Sequence, residues 1–184
     1  MVILIYGMST TKKSDNVKTI VLQPYIGFPK TYVEYVKNNL LLIYPKVIVL
    51  KDIPLPKQAF VNNRNRADSL LKYLEINCLN NTTIVGMTNK DITTQNGKIS
   101  DWGIFGLSNM PGKVCVISSF RIKGNVLDKV FKTVIHELGH TEGLDHCSTF
   151  GCIMSDAKGK DNFNNEDNFC NKCKNYLIKR NWKL

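Results

Sequence analysis

All three histidines of this chain of 184 residues lie in one short stretch, HELGHTEGLDH, which spans residues 136–146. His136 and His140 are four residues apart, and on a helix this spacing places both imidazoles on one face, one turn apart. Gly143 follows three residues later, where a glycine lets a helix end through a left-handed residue. The chain can then turn sharply and bring His146 towards the other two rings. The stretch therefore predicts that the three imidazoles bind one metal ion.

Three neutral imidazoles leave a tetrahedral zinc ion with one position open for water, as in catalytic zinc sites. The ion lowers the pKa of that water from about 15.7 towards about 7, which makes a nucleophile available at neutral pH. Glu137 directly follows the first histidine, and we interpret it as the general base that takes the water's proton and passes it to the leaving amine. An H-E-x-x-H sequence also occurs by chance on helices with two surface histidines. The extended pattern H-E-x-x-H-x-x-G-x-x-H is much rarer, and it favours a zinc site.

Four of the six cysteines follow as two pairs, the second of which is a C-x-x-C. These four are Cys147, Cys152, Cys170 and Cys173. Two such pairs around a polar loop predict a closed, all-thiolate zinc site with a structural role. Four buried free thiols are a poor alternative, because the segment between the pairs is too polar to bury them. A redox C-x-x-C is a further alternative, although no strand precedes it as in thioredoxin-like sites.

The composition indicates a single globular domain, since 184 residues with 43% hydrophobic and 22% charged residues can build one core. The net charge of +10 comes mainly from scattered lysines. A basic surface can attract nucleic acids, but the basic residues are not interleaved with aromatic ones, so a solvated coat is favoured. No apolar run reaches the roughly 18 residues of a membrane span, and the opening residues lack the basic lead of a signal peptide. We therefore expect a cytoplasmic protein that binds neither nucleic acid nor membrane.

Strands and helices alternate along the chain, and this alternation predicts an α/β sheet. Strands are predicted at residues 2–6, 19–24, 46–51, 82–87 and 113–118. Helices are predicted at residues 29–43, 67–74, 125–140 and 169–182. From Gly143 onwards the sequence is rich in polar residues that cannot build a core of their own. We predict one catalytic domain over residues 1–184, with an α/β part at 1–143 and a smaller zinc-held part at 144–184.

Met154 lies two residues after Cys152 and completes a longer pattern, HELGHTEGLDHC-STFG-CIM-…-CNKC. This pattern resembles the archaemetzincin family of zinc metallopeptidases. The segments RNRADSLLKYL at 64–74 and FGLSNMPGKVCVISSFR at 105–121 are also similar to segments of that family. The resemblance implies a metzincin-like fold, in which a twisted mixed sheet carries an active-site helix and a small C-terminal subdomain.

The resemblance also implies a role for each residue of the two clusters. His136, His140 and His146 would bind the catalytic zinc, and Glu137 would be the general base. Met154 would be the Met-turn residue beneath that zinc. A structural zinc would be held by the cysteines, so that each chain binds two zinc ions: the ligands of this second ion would be Cys147, Cys152, Cys170 and Cys173.

Metzincins resemble one another in binding peptides along an edge strand, and the candidate here lies within Gly103–Ser108. Strand addition would supply main-chain hydrogen bonds, although an ordinary edge strand is an equal alternative. The rest of residues 88–113 is predicted to be irregular. We expect a monomeric zinc metallopeptidase that hydrolyses peptides or proteins. The alternative is an inactive zinc protein that binds a partner, but such a protein has no need of Glu137 beside the first histidine.

Overall fold

A computed structural model of the chain describes residues 17–156 and 168–184. The strand predicted at residues 2–6 and most of the polar segment between the two cysteine pairs lie outside these residues. The described residues form four α-helices: α1 (Lys30–Ile43), α2 (Ala67–Ile76), α3 (Val126–Thr141) and α4 (Asn171–Ile178). They also form nine strands: β1 (Thr19–Pro24), β2 (Val47–Val49), β3 (Phe60–Val61), β4 (Arg64–Arg66), β5 (Thr82–Thr88), β6 (Ile92–Asn96), β7 (Ile99–Ile104), β8 (Gly106–Ser108) and β9 (Val114–Ser118). None of the helices in these ranges has the length and apolar character needed to span a bilayer.

The central sheet has five strands in the order β2-β1-β5-β9-β8. Its first four strands are mutually parallel, whereas β8 runs antiparallel to β9 at one edge. The strands β1, β5 and β9 are almost entirely buried, as expected for parallel strands that helices cover on both faces. The α/β class and the mixed sheet predicted from the sequence are confirmed.

A second sheet has four strands in the order β3-β4-β6-β7. The prediction that the rest of residues 88–113 is irregular was wrong, because β6 and most of β7 lie there, whereas β8 lies within the candidate edge region. The exposed end of β6 reads TQN, so this strand lacks the alternating apolar residues that reveal a half-buried strand in a sequence. The candidate edge region Gly103–Ser108 divides between the two sheets: β7 ends at Ile104, and β8 begins at Gly106.

Helices cover the two faces of the central sheet and bury two separate apolar clusters. Ile20 and Leu22 of β1 belong to the cluster that contains residues of α1, α3 and α4. Val21, between them, belongs to the cluster that contains α2. This alternation follows from the two-residue period of side chains along a strand. The histidine-bearing helix α3 therefore lies on the same face of the sheet as α1 and α4.

The C-terminal helix is shorter than the predicted range 169–182, since α4 spans Asn171–Ile178. Asn181 adopts a left-handed backbone conformation with a φ of 70°, which a right-handed helix cannot include. Trp182 then turns inward, and its ring packs edge-on against that of Tyr44 with the centroids 5.5 Å apart. The end of the chain is thereby attached to the same apolar cluster as α1 and α3.

Candidate active site and metal centres

The histidine group is built on α3, which is anchored to the sheet by its apolar face. Three of the buried residues on this face are Val130, Val134 and Leu138. After the helix ends, Gly143 adopts the left-handed conformation with a φ of 96°. Its N–H donates to His140 O at 2.9 Å, and the N–H of Leu144 donates to Gly139 O at 3.0 Å. The sharp turn predicted at Gly143 is confirmed.

His136 and His140 are oriented by backbone carbonyls. The Nδ1 atom of His136 lies 2.6 Å from Ile153 O, and that of His140 lies 2.7 Å from Leu144 O. A carbonyl oxygen only accepts, so each Nδ1 carries the hydrogen and each Nε2 presents a lone pair. The two Nε2 atoms are 3.0 Å apart, and in this tautomer they cannot hydrogen-bond to each other. Two lone pairs held this close fit a shared cation.

His146 completes the group from the segment that follows the Gly143 turn. Its ring centroid lies 4.8 Å from that of His140 and 5.5 Å from that of His136. One ligand atom from each of the three residues lies within 4.8 Å of the others. His146 is exposed, whereas the other two histidines are partly buried. The structure therefore brings the three predicted histidines together and leaves the group open on one side.

Burial favours the neutral form of the two helical histidines, His136 and His140. It lowers the pKa of His136 to about 4, although the hydrogen bond to Ile153 O acts in the opposite direction. Burial also lowers the pKa of His140, against the effect of the Glu137 carboxylate. Metals bind neutral imidazole, so rings with a lowered pKa suit a metal at neutral pH.

Glu137 is buried, and its carboxylate faces the edge strand β8. Ser108 Oγ hydrogen-bonds to Glu137 Oε2 and lies 3.0 Å from the backbone O of the same residue. Gly106 also faces the carboxylate, since a Cβ at this position would lie 2.5 Å from Glu137 Oε1. Burial raises the pKa of Glu137, while His140 and the Ser108 hydrogen bond act to lower it. A buried carboxylate of raised pKa beside the histidines is suited to take up and return a proton.

Met154 is fully buried and lies against α3 beside the histidine group. Its backbone O accepts a hydrogen bond from the N–H of Cys147 at 2.7 Å. On α3, a Cβ at Gly139 would lie 2.5 Å from Met154 Sδ, so the thioether packs directly on the helix backbone. Since Ile153 supplies the carbonyl that orients His136, this turn contacts both α3 and the first of the clustered cysteines.

The C-terminal cysteines form a second group, with all four sulfur atoms within 4.8 Å of one another; its members are Cys147, Cys152, Cys170 and Cys173. Cys147 Sγ and Cys170 Sγ are 3.7 Å apart, which matches the edge of about 3.8 Å in a tetrahedron with Zn–S distances of about 2.3 Å. Burial acts to raise the pKa of Cys170, but hydrogen bonds from Cys173, Thr149 and Cys147 outweigh it and lower the pKa to about 6. The lowered pKa favours the thiolate form of Cys170, which is the form that binds a metal, whereas burial raises the pKa of the Cys152 and Cys173 thiols.

A sequence model of peptidase family M54 matches residues 33–180, a range that contains every residue of both groups. The chain belongs to peptidase family M54. As an M54 member it is a zinc metallopeptidase, and the resemblance to archaemetzincins seen in its motifs is confirmed.

Relatives of this M54 peptidase support the assignment along most of its length. Archaemetzincin of Methanopyrus kandleri is 32% identical over 105 residues, which are 54% of this chain and 57% of that relative. Archaemetzincin of Natronomonas pharaonis is 26% identical over 172 residues, which are 84% of this chain and 96% of that relative. A crystal structure of archaemetzincin from Archaeoglobus fulgidus, complexed with malonate, matches with a TM-score of 0.74 at 25% identity and covers 86% of this chain and 99% of that one. The M54 chain therefore has the fold of archaemetzincins.

Several residues of the M54 site were not identified from the sequence. Ser108 and Gly106 lie in a strand too short to predict which side chains face α3, and the two orienting carbonyls carry no sequence signal. Gly139 did give a signal. A glycine within a helix costs about 1 kcal/mol relative to alanine, so its presence in an otherwise apolar helical pattern indicates a close contact.

Replacing Gly139 with alanine is expected to lower the free energy of unfolding of the M54 peptidase by about 1–3 kcal/mol. The added methyl group would lie 2.5 Å from Met154 Sδ and 3.1 Å from its Cε. Met154 has no exposed surface and thus no solvent-filled space to move into. Denaturant unfolding of the zinc-loaded variants measures the change.

Met154→Ala provides the matched background for this substitution. With the thioether gone, Gly139→Ala is expected to be neutral or stabilising by up to about 1 kcal/mol, because alanine favours a helix over glycine. An equal loss of stability in both backgrounds would show that the contact between Gly139 and Met154 is not the cause.

Proposed function

We propose that this zinc metallopeptidase holds its catalytic zinc with His136, His140 and His146 and uses Glu137 as the general base. The observation that carries the proposal is the convergence of three imidazole ligand atoms within 4.8 Å of one another, with a buried carboxylate on the same helix. Bound there, a zinc ion would polarise the scissile carbonyl and lower the pKa of a water molecule.

The roles of the protein groups follow from their positions. Ile153 O and Leu144 O hold the two helical imidazoles with their Nε2 atoms directed at each other. Glu137, on the same helix, takes a proton from the attacking water through its carboxylate. The same carboxylate later donates that proton to the amine of the leaving peptide. Met154 packs against α3 at Gly139 and thereby keeps the imidazoles in place.

We also propose that a structural zinc is bound by four thiolates, those of Cys147, Cys152, Cys170 and Cys173. The separations of the sulfur atoms support this site. Its role is to fix the backbone at residue 147, next to the third histidine. The catalytic domain over residues 1–184 would then comprise an α/β part at 1–143 and a zinc-held part at 144–184, which share one apolar cluster.

Peptide or protein substrates would bind along β8, the terminal strand of the central sheet. β8 pairs with β9 through one edge, and on its other edge a substrate strand could add main-chain hydrogen bonds. The hydrogen bond of Ser108 to Glu137 joins this strand to the proposed base, so a peptide on β8 would lie near the histidine group.

The proposed enzyme is a monomer that works in the cytoplasm. It binds neither nucleic acid nor membrane. All six cysteines are free of disulfide bonds. Clustered cysteines that bind a metal instead of forming disulfides are typical of a reducing compartment. No observation favours the alternative of a zinc protein without catalytic activity.

Metal analysis combined with digestion of a peptide library tests the proposed function. We expect two zinc ions per chain, cleavage of library peptides, loss of cleavage after treatment with a chelator, and recovery when zinc is added back. A protein that binds both zinc ions but cleaves none of the library would instead support the non-catalytic alternative.

A further inference from the structure

Ser108 contacts Glu137 at both its backbone and its carboxylate. Ser108 is the last residue of β8, where it pairs with Cys115 of β9. Its Oγ lies 3.0 Å from Glu137 O and also hydrogen-bonds to Glu137 Oε2. Among the described residues, this hydroxyl is the side-chain group that hydrogen-bonds to the Glu137 carboxylate. The side chain of Ser108 therefore contacts both the backbone carbonyl and the carboxylate of the proposed general base.

The face of β8 that looks towards α3 is shaped around this carboxylate. Alternate residues of a strand share a face, so Gly106 and Ser108 both point towards α3. Leu107, between them, packs against the apolar cluster on the opposite side of the sheet. A Cβ at Gly106 would lie 2.5 Å from Oε1 and 2.7 Å from Cδ of Glu137. The Glu137 carboxylate thus occupies the space that a side chain at residue 106 would fill. Its Oε2 atom hydrogen-bonds to the hydroxyl of Ser108.

A hydroxyl is a suitable partner for a carboxyl group that gains and loses a proton in each turnover. It carries one hydrogen and two lone pairs. It can donate to the ionised carboxylate of Glu137, or it can donate to Glu137 O and accept from the protonated carboxyl group. Both partners are within reach of Ser108 Oγ, so the contact can persist before and after the proton is taken.

We propose that Ser108 is a positioning residue, which holds the Glu137 carboxylate in the orientation from which it takes and returns a proton. This inference rests on the proposed role of Glu137 as the general base. The main-chain pairing of β8 with β9 already fixes the strand, so the strand does not depend on the hydroxyl. The side chain acts through Glu137, and its removal is expected to affect kcat more than KM.

Ser108→Ala tests this role by removing the hydroxyl alone. We expect kcat for a peptide substrate to fall by about 10- to 100-fold, the factor that corresponds to a hydrogen bond to a charged group. KM and the number of bound zinc ions are expected to stay unchanged. Ser108→Thr keeps a hydroxyl at the same position and is expected to retain most of kcat.

Ser118→Ala is the matched control for the loss of a buried serine hydroxyl. Ser118 lies on the neighbouring strand β9, and its Oγ donates to Lys90 O at 2.6 Å without contact to a carboxylate. This variant is expected to lower the melting temperature while leaving kcat unchanged. Loss of kcat in Ser108→Ala alone would support positioning, whereas an equal loss in both variants would overturn it.

A second readout does not depend on turnover. In the zinc-loaded protein, Ser108→Ala is expected to change the melting temperature more in the wild-type background than in Glu137→Ala, where the carboxylate is absent. Equal shifts in the two backgrounds, or wild-type kcat in Ser108→Ala, would overturn the proposal. If the wild type cleaves no peptide, the proposed function fails, and the melting-temperature comparison still decides whether Ser108 and Glu137 are coupled.

Discussion

Glu137→Gln is expected to lower kcat/KM for a peptide substrate by about 10²- to 10⁴-fold, the contribution typical of a general acid–base residue, while both zinc ions stay bound. Glutamine has nearly the shape of glutamate and can still hydrogen-bond to Ser108 Oγ, but its amide cannot take a proton at neutral pH. The rings of His136 and His140 are oriented by carbonyls and not by Glu137, so the metal site is expected to survive the substitution.

Glu142→Gln offers a matched control for this loss of a carboxylate. Glu142 follows the end of α3, and its carboxylate is mostly buried and forms an ion pair with Lys18 at 3.4 Å. Its substitution is expected to reduce stability and to leave kcat/KM near the wild-type value. Initial rates over a range of peptide concentrations, with zinc content measured on the same samples, give the comparison. Equal rates for Glu137→Gln and the wild type would show that Glu137 is not the base.

Cys173→Ser is expected to reduce the bound zinc from two ions to one and to lower the melting temperature strongly. Binding of zinc to structural sites supplies about 10–16 kcal/mol in small zinc peptides. For a domain of this size, the loss of only about 3 kcal/mol lowers the melting temperature by about 6–12 °C. Activity is expected to fall as well, because Cys147 shares this group, adjoins His146 and donates its N–H to Met154 O.

Cys78→Ser is the control for the substitution of a cysteine as such. Cys78 is partly buried, and its thiol lies 3.7 Å from Thr82 O, apart from the four-sulfur group. We expect this variant to keep two zinc ions and most of its stability. Zinc analysis and thermal unfolding of both variants decide the matter. If Cys173→Ser retained two zinc ions and the wild-type melting temperature, the cysteines would not form a structural site.

The histidine group could be predicted because its geometry follows from short-range rules. A spacing of four residues on a helix places His136 and His140 together, and the left-handed glycine at 143 turns the chain back towards them. The buried parallel strands and the helices between them follow from apolar runs and helical periodicity. In each case neighbours in the sequence determine the relevant structure.

The contacts of Glu137 with β8 could not be predicted, because they depend on register between distant segments. Ser108 is 29 residues from Glu137 along the chain, and a shift of one residue in the pairing of β8 would turn Leu107 towards α3 instead. The second sheet was missed for a related reason, since its strands are short or lack a regular apolar alternation and are defined by their pairing with distant segments. The contacts of Glu137 with β8 and the second sheet were therefore missed because both depend on the pairing of strands that are distant in the sequence.

The histidine group and the cysteine group are joined in the structure by a short stretch of backbone. Ile153 O orients His136, and Met154 O accepts from Cys147 N–H. Residues 146 and 147 contribute to different groups although they are consecutive. Constraint of the cysteine segment by a metal would therefore also constrain the third histidine and the turn beneath α3.

Anomalous diffraction at the zinc absorption edge, from crystals of the zinc-loaded protein, tests the proposed catalytic centre most directly. We predict one ion bound by His136, His140 and His146 with its remaining position filled by solvent, and a second ion bound by the four clustered cysteines. A first ion whose remaining position is occupied by a protein side chain, or three imidazoles that bind no ion, would contradict the proposal.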